Sequence, residues 1–91
     1  MSLTVEAVAK RVVWWKPPEQ ALADPRYFLA RVMASGTFDE VRCVRAHFPP
    51  EAFRAVLEDP PAGVFDPRSW AYWNLVFERD AGEVPRRRLP A

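Results

Sequence analysis

Few residues in this chain combine the types and spacing that catalysis or metal binding requires. His47 is the single histidine and Cys43 the single cysteine, whereas a structural zinc site takes four Cys or His ligands. Asp24, Glu40 and Asp66 stand where helices are predicted to begin, and a carboxylate there interacts favourably with free amide groups. The sequence therefore predicts a protein that is not an enzyme, with no catalytic residue, no metal site and no cofactor.

The arginines offer a second kind of chemistry, because a guanidinium can bind phosphate through paired hydrogen bonds. Arg42, Arg45 and Arg54 lie within residues 37–58, where two short helices joined by a turn are predicted, and a helix-turn-helix places such side chains against DNA. Four acidic residues in the same range interrupt the positive charge, and the net charge of the chain is only +1. The pattern favours a packing unit, with a small DNA-binding regulator kept as the alternative function.

The segment SWAYWNLVF, residues 69–77, concentrates aromatic side chains near the end of the chain. Trp70, Trp73 and Phe77 are spaced i, i+3 and i+7, so a helix would place them on one face. A helix this apolar is either the centre of the fold or partly an interface. The centre of so small a domain has room for one such helix, which favours the core.

Trp14 and Trp15 bring the number of tryptophans to four. Tryptophan, tyrosine and arginine are the residue types enriched in binding hot spots. We therefore predict that part of this surface binds another protein. The candidate contact residues are Trp14, Trp15, Trp70, Trp73, Arg86, Arg87 and Arg88.

Prolines divide the chain into short helices with identifiable start signals. Asp24 and Asp66 each stand before a proline at the first helical position, and Thr37 with Glu40 can form a capping box. The predicted helices cover 25–35, 50–58 and 67–78, and a further helix begins at residue 37 and ends at the proline pair 49–50. In that helix, Phe38 is predicted on the buried side and Glu40 on the polar side.

The N-terminal segment has two interpretations. Residues 4–13 carry apolar side chains at helical spacing, whereas RVVWW, residues 11–15, could equally form a strand because valine and tryptophan favour extended chain. Within residues 1–24 we expect a short helix followed by an extended Trp-Trp-Lys-Pro-Pro arm. Residues 25–78 are expected to form the helical core of a single domain that spans 1–84, and residues 85–91 a flexible basic tail.

The composition sets the predicted fold class and location. A chain of 91 residues with 49% hydrophobic and 13% aromatic content can pack one core in spite of its ten prolines. We predict an all-α fold, a compact single domain of four or five short helices with Pro-rich connections. The sequence has no signal-peptide segment and no apolar run of the roughly 18 residues that a membrane span needs. We expect a cytoplasmic protein that does not bind membranes.

Five short motifs follow one another along residues 14–89. They are Trp14-Trp15, FLARVM running into GTFDEV between residues 28 and 41, Arg45 to Phe48, SWAYW at 69–73, and Pro85 to Arg88. In this order they resemble a group of small prokaryotic helical proteins of unknown function, often described as antitoxin-like, whose genes tend to lie beside nucleotidyltransferase-like toxins of the abortive-infection type. Proteins of that group commonly carry Trp where Phe38 stands and Gly soon after the His-aromatic pair, where this chain has Pro49-Pro50.

The resemblance implies a non-enzymatic partner that binds and restrains such a toxin, or an accessory protein of a defence operon. Arg86, Arg87 and Arg88 would then engage the acidic metal-binding carboxylates that nucleotidyltransferase sites use. The identity of the partner, the oligomeric state, including a homo-oligomer, and the trigger of such an operon are left open by the sequence.

Overall fold

The computed structural model describes residues 3–78, in which the chain forms six helices and no strand. The helices are α1 (Val5–Val12), α2 (Pro18–Ala23), α3 (Pro25–Ser35), α4 (Phe38–His47), α5 (Pro50–Glu58) and α6 (Pro67–Val76). The all-α prediction is confirmed, whereas the predicted four or five helices are corrected to six in the described range. None of these six is long and apolar enough to cross a lipid bilayer. The predicted tail at 85–91, with Arg86, Arg87 and Arg88, lies outside the described residues.

Three of the helices begin at the caps that the sequence predicts. Asp24 and Asp66 each accept a hydrogen bond from a backbone N–H in the first turn of α3 and α6. Thr37 and Glu40 form both hydrogen bonds of a capping box, since the Thr37 hydroxyl accepts from the Glu40 amide at 3.2 Å and the Glu40 carboxylate accepts from the Thr37 amide at 2.8 Å. A cap of this kind contributes about 1 kcal/mol, so these residues define where α3, α4 and α6 start.

The helix that the sequence did not predict is α2, which replaces most of the expected extended arm. Pro17 has a ψ of 148°, outside the helical range, and Pro18 occupies the first turn of α2, where a proline loses no helical hydrogen bond. Ala21 is buried, and α2 packs against α1 and α3. Of the five residues RVVWW, the first two complete α1 and the other three form a turn. This segment is therefore neither a strand nor an extended arm.

The central helix is α3, because each of the other five described helices packs against it. Phe28 and Val32 are fully buried, as the predicted stripe of this helix requires. Val8 and Val12 of α1 are buried as well, so the hydrophobic core also includes residues N-terminal to 25–78. Burial of an aliphatic or aromatic side chain contributes about 1.5–3 kcal/mol. Because α4 and α6 pack on α3, their positions depend on this helix.

An ion pair joins α1 to the start of α4. The guanidinium of Arg11 donates to both carboxylate oxygens of Glu40 and to the backbone carbonyl of Ser35 at 3.0 Å. Glu40 is buried, which corrects its predicted place on the polar side of α4. The hydrogen bonds from Arg11 hold the pKa of Glu40 below its ordinary value, against the opposing effect of burial. This Arg11–Glu40 pair thereby fixes the turn that connects α3 to α4.

Candidate functional site

A groove of about 580 Å³ lies between α4 and α6, at the C-terminal end of α3. Its volume falls in the range of about 300–1,000 Å³ that is typical of ligand pockets. Both α4 and α6 pack against α3, and the groove is the space left between them. Its lining residues come from within 33–36, 38–45 and 66–73. We call it the α4–α6 groove.

The floor of the groove is set where α6 meets the end of α3. The indole N–H of Trp73 donates to the backbone carbonyl of Met33 at 2.8 Å, and both residues are buried. Gly36 follows the last residue of α3, and a Cβ at this position would lie 2.6 Å from the carbonyl oxygen of Val32. Glycine therefore lets the chain turn closely past the end of α3 and start α4 at the edge of the groove.

Two exposed aromatic side chains stand on the two walls of the groove. Phe38 on α4 is 76% exposed and Tyr72 on α6 is 56% exposed. The exposure of Phe38 corrects its predicted place on the buried side of α4, because Glu40 takes an inward position at that end of the helix through its pair with Arg11. Apolar rings left in water beside a concave surface are typical of an interaction site.

Three arginines place positive charge on both walls of the groove. Arg42 and Arg45 are exposed on α4, and Arg68 is exposed on α6. The guanidinium carbons of Arg42 and Arg45 lie 5.8 Å and 5.9 Å from the ring centroids of Phe38 and Phe77, distances at which a cation is attracted to an aromatic face. Other arginines form the ion pairs found in the described part of the chain, so these three remain able to bind anions.

Asp66 is the one acidic residue among those that line the groove, and it is engaged locally. Its carboxylate accepts hydrogen bonds from the hydroxyl and the backbone N–H of Ser69. The Ser69 hydroxyl is the main cause that holds the pKa of Asp66 below its ordinary value, and Arg68 adds a smaller attraction. Three arginines against one engaged aspartate give the groove a net positive charge, which suits carboxylate or phosphate groups.

The four tryptophans proposed as partner contacts separate into a buried and an exposed pair. Trp70 and Trp73 are 6% and 3% exposed, so their rings hold α6 in the core, and of the two only Trp73 is among the residues that line the groove. Trp14 and Trp15 are 73% and 43% exposed, and their rings pack edge to face with centroids 5.6 Å apart. These two remain candidate contact residues.

The packing of α4 and α5 differs from that of a helix-turn-helix. In that motif two successive helices form one unit, whereas α5 packs chiefly against α3, and α4 packs against α1 and α3 alike. Arg42 and Arg45 line the groove and Arg54 does not. The guanidinium carbon of Arg54 instead lies 5.7 Å from the ring centroid of Phe77, which Arg45 also approaches. The structure thus brings two of the three candidate nucleic-acid residues to the groove.

The histidine and the cysteine make backbone contacts of their own. His47 Nδ1 lies 2.9 Å from the backbone carbonyl oxygen of Cys43, and the thiol of Cys43 donates to the carbonyl of Leu3 at 3.3 Å. Within residues 3–78, no group of three or more His, Cys, Asp or Glu side chains is placed to hold a metal ion.

No protein-family model, curated protein or solved structure matches this chain. The resemblance to antitoxin-like proteins stays a prediction that the sequence motifs carry. The structure describes those motifs from Trp14 to Trp73, and the closing Pro85 to Arg88 lies outside it.

Proposed function

We propose that this protein is a non-enzymatic protein-binding module whose α4–α6 groove holds a segment of a partner protein. The observation that carries the proposal is the exposure of Phe38 and Tyr72 on the two walls of a groove that three arginines border. Aromatic residues and arginine are enriched at binding hot spots, where apolar anchors in concave sites supply most of the affinity. These exposed rings supply such anchors.

The proposed role is antitoxin-like, in which the module binds and restrains a nucleotidyltransferase-like toxin encoded beside it. The arginines of the groove suit a partner surface that carries carboxylates, as the metal-binding acids of a nucleotidyltransferase site do. Trp14 and Trp15 are exposed, but Trp15 packs against Tyr27 in the first turn of α3, away from the groove, so these two would form a separate contact with the partner.

Co-purification of the tagged full-length protein with the product of the adjacent gene tests this proposal. We expect association at micromolar concentration. We expect Phe38→Ala and Tyr72→Ala each to weaken it by about tenfold or more, because truncation of an anchor removes apolar contact area. Both side chains are largely exposed, so the thermal unfolding of each variant should stay close to that of the wild type.

Leu75→Ala is the matched control, because Leu75 is an exposed apolar residue of α6 that does not line the groove. We expect this variant to keep its affinity for the partner. An equal loss in Leu75→Ala would move the contact surface away from the groove. Absence of any association between the two folded proteins would refute the proposed function.

DNA binding is the second candidate function. The observation in its favour is that Arg42 and Arg45 form no ion pair within the described residues. A DNA-binding protein would show duplex binding that falls steeply with salt, and Arg42→Ala or Arg45→Ala would reduce that salt dependence. Tyr72→Ala separates the two candidate functions, because it should weaken the binding of a partner protein and leave the binding of duplex DNA nearly unchanged.

A further inference from the structure

We infer that the segment received by the α4–α6 groove is an acidic amphipathic helix. Its apolar side chains would lie on the apolar lining of the groove, and its carboxylates would face Arg42, Arg45 and Arg68. The inference rests on the proposed function and names the structure and charge of the partner segment.

The two walls of the groove are themselves helices, so a third helix can pack against both of them. A helix laid between α4 and α6 would contact both walls and the end of α3, against which both walls pack. Packed helices in proteins lie about 8–10 Å apart, and a groove of this kind is the receptor in helix-in-groove recognition. Met33, Val41 and Trp73 line the groove with apolar surface, which complements the apolar stripe of an amphipathic helix.

The charge of the groove selects acidic residues on the flanks of that helix. Arg42 and Arg45 are three residues apart on α4, so they lie on neighbouring turns of one face, and Arg68 stands on the opposite wall. A carboxylate in reach of a guanidinium gains paired, charge-assisted hydrogen bonds. Asp66 offsets part of this charge, but Ser69 already donates two hydrogen bonds to its carboxylate.

The same charge argues against the C-terminal segment of this chain as the occupant. Arg86, Arg87 and Arg88 have the same sign as the groove, so their Coulomb energy there is unfavourable. Single-stranded nucleic acid, with phosphates and stacking bases, is the competing occupant. The aliphatic part of the lining, which includes Met33 and Val41, favours apolar side chains over bases.

The probe for this inference is a fluorescein-labelled, side-chain-stapled helical peptide. It carries leucine and phenylalanine at positions i, i+4 and i+7 and glutamate on the flanks. Two comparison peptides replace glutamate by lysine, or remove the staple and insert a central proline. Fluorescence anisotropy measures the binding of each peptide to the full-length protein. We expect the glutamate peptide to bind at least about tenfold more tightly than either comparison peptide and to lose affinity as salt rises.

A charge-reversed variant tests which residues of the groove determine its preference for the charge of the peptide. Arg42→Glu combined with Arg45→Glu should invert the preference, so that the lysine peptide binds more tightly than the glutamate peptide. Arg54→Glu is the matched control, because Arg54 is exposed on α5 and does not line the groove, and it should keep the wild-type preference. Where the double variant fails to fold by circular dichroism, the charge preference and salt dependence of the wild-type protein decide the question.

Several outcomes would overturn the inference. One is equal binding of the glutamate and lysine peptides, and another is a loss of preference in Arg54→Glu as complete as in the double variant. Equal binding of the proline peptide would assign an extended segment in place of a helix. Binding of single-stranded DNA that depends on Arg42 and Arg45, with no peptide binding, would assign the groove to nucleic acid.

Competition with the partner protein separates this inference from the proposed function. If the adjacent gene product binds in a Tyr72-dependent way and displaces the glutamate peptide, both are supported. If it binds in that way without any peptide binding, the proposed function stands and the acidic helix is wrong. If neither the protein nor a peptide binds, both fail.

Discussion

Trp73 is the residue at which the hydrophobic core and the candidate site meet. Its ring stacks on Phe53 and Phe77 with centroids 6.3 Å and 6.2 Å apart, while its indole N–H donates to the carbonyl of Met33. The same side chain lines the groove. The position of the groove therefore depends on a residue that the core holds in place.

Replacement of this residue separates its structural contribution from that of an exposed tryptophan. Trp73→Phe keeps an aromatic ring but removes the donor to the buried Met33 carbonyl, so we expect the free energy of unfolding to fall by about 2–4 kcal/mol. Trp14→Phe, at a largely exposed position, should change it by less than about 0.5 kcal/mol. Urea denaturation measures both, and similar losses in the two variants would contradict the buried hydrogen bond.

At the scale of the helices, the Arg11–Glu40 pair connects α1 to the wall of the groove. Arg11 also donates to the carbonyl of Ser35, the last residue of α3. The pair therefore acts on three helices, and it holds the end of α4 that carries Phe38. Its loss should be seen both in stability and in the pH dependence of stability.

Glu40→Gln tests this connection. The folded pKa of Glu40 is lowered from an ordinary value of 4.5, chiefly by hydrogen bonds from Arg11. A lowered folded pKa means that the pair stabilises the fold fully above the unfolded pKa, and that this contribution is lost as the pH falls through the folded pKa. We expect Glu40→Gln to cost about 1–3 kcal/mol at neutral pH and to flatten the decline of stability below about pH 4.5.

Urea denaturation at a series of pH values measures the effect of Glu40→Gln. The control is Glu6→Gln, at an exposed position of α1, which should leave both the stability at neutral pH and its decline in acid nearly unchanged. If the free energy of unfolding of Glu40→Gln falls with acid as steeply as that of the wild type, then the protonation of Glu40 is not the cause of this pH dependence.

The starts of α3, α4 and α6 could be predicted from the sequence because each depends on residues close together in the chain. Asp24 and Asp66 bond to amides three residues later, as Thr37 does in its capping box. Hydrogen bonds of such short range leave a sequence signature. The beginning of α2 at Pro18 has no side-chain cap, and its stability comes from packing against α1 and α3.

The candidate site could be predicted only in part, because its residues converge from separate helices. Arg42 and Arg45 stand out as a pair on one helix, but Arg68 joins them only when α6 packs on α3. The outward position of Phe38 depends on Arg11, which is 29 residues from Glu40 in the chain. A pattern of helical spacing contains no information about such a distant partner.

At the scale of the whole molecule, the hydrophobic core and the groove both depend on α3, because every other described helix packs on it. A domain of 91 residues has a free energy of unfolding of roughly 5–14 kcal/mol. A ligand that binds only the folded state adds to this small quantity. Occupancy of the groove should therefore change the thermal stability of the molecule by a measurable amount.

Binding of the peptide should raise the melting temperature, Tm, of the protein. At a free peptide concentration a hundred times Kd, binding adds about 2.7 kcal/mol, and each kcal/mol shifts the Tm of a domain this size by about 4–8 °C. We expect the acidic helical peptide to raise Tm by about 10 °C or more. Its lysine counterpart, which binds about tenfold or more weakly, should raise Tm by no more than about half as much at the same concentration, as differential scanning calorimetry can measure. The double variant Arg42→Glu with Arg45→Glu should abolish this rise in Tm, because it removes the positive charge that binds the peptide. A rise in Tm that persists in the double variant would show that the peptide binds outside the groove.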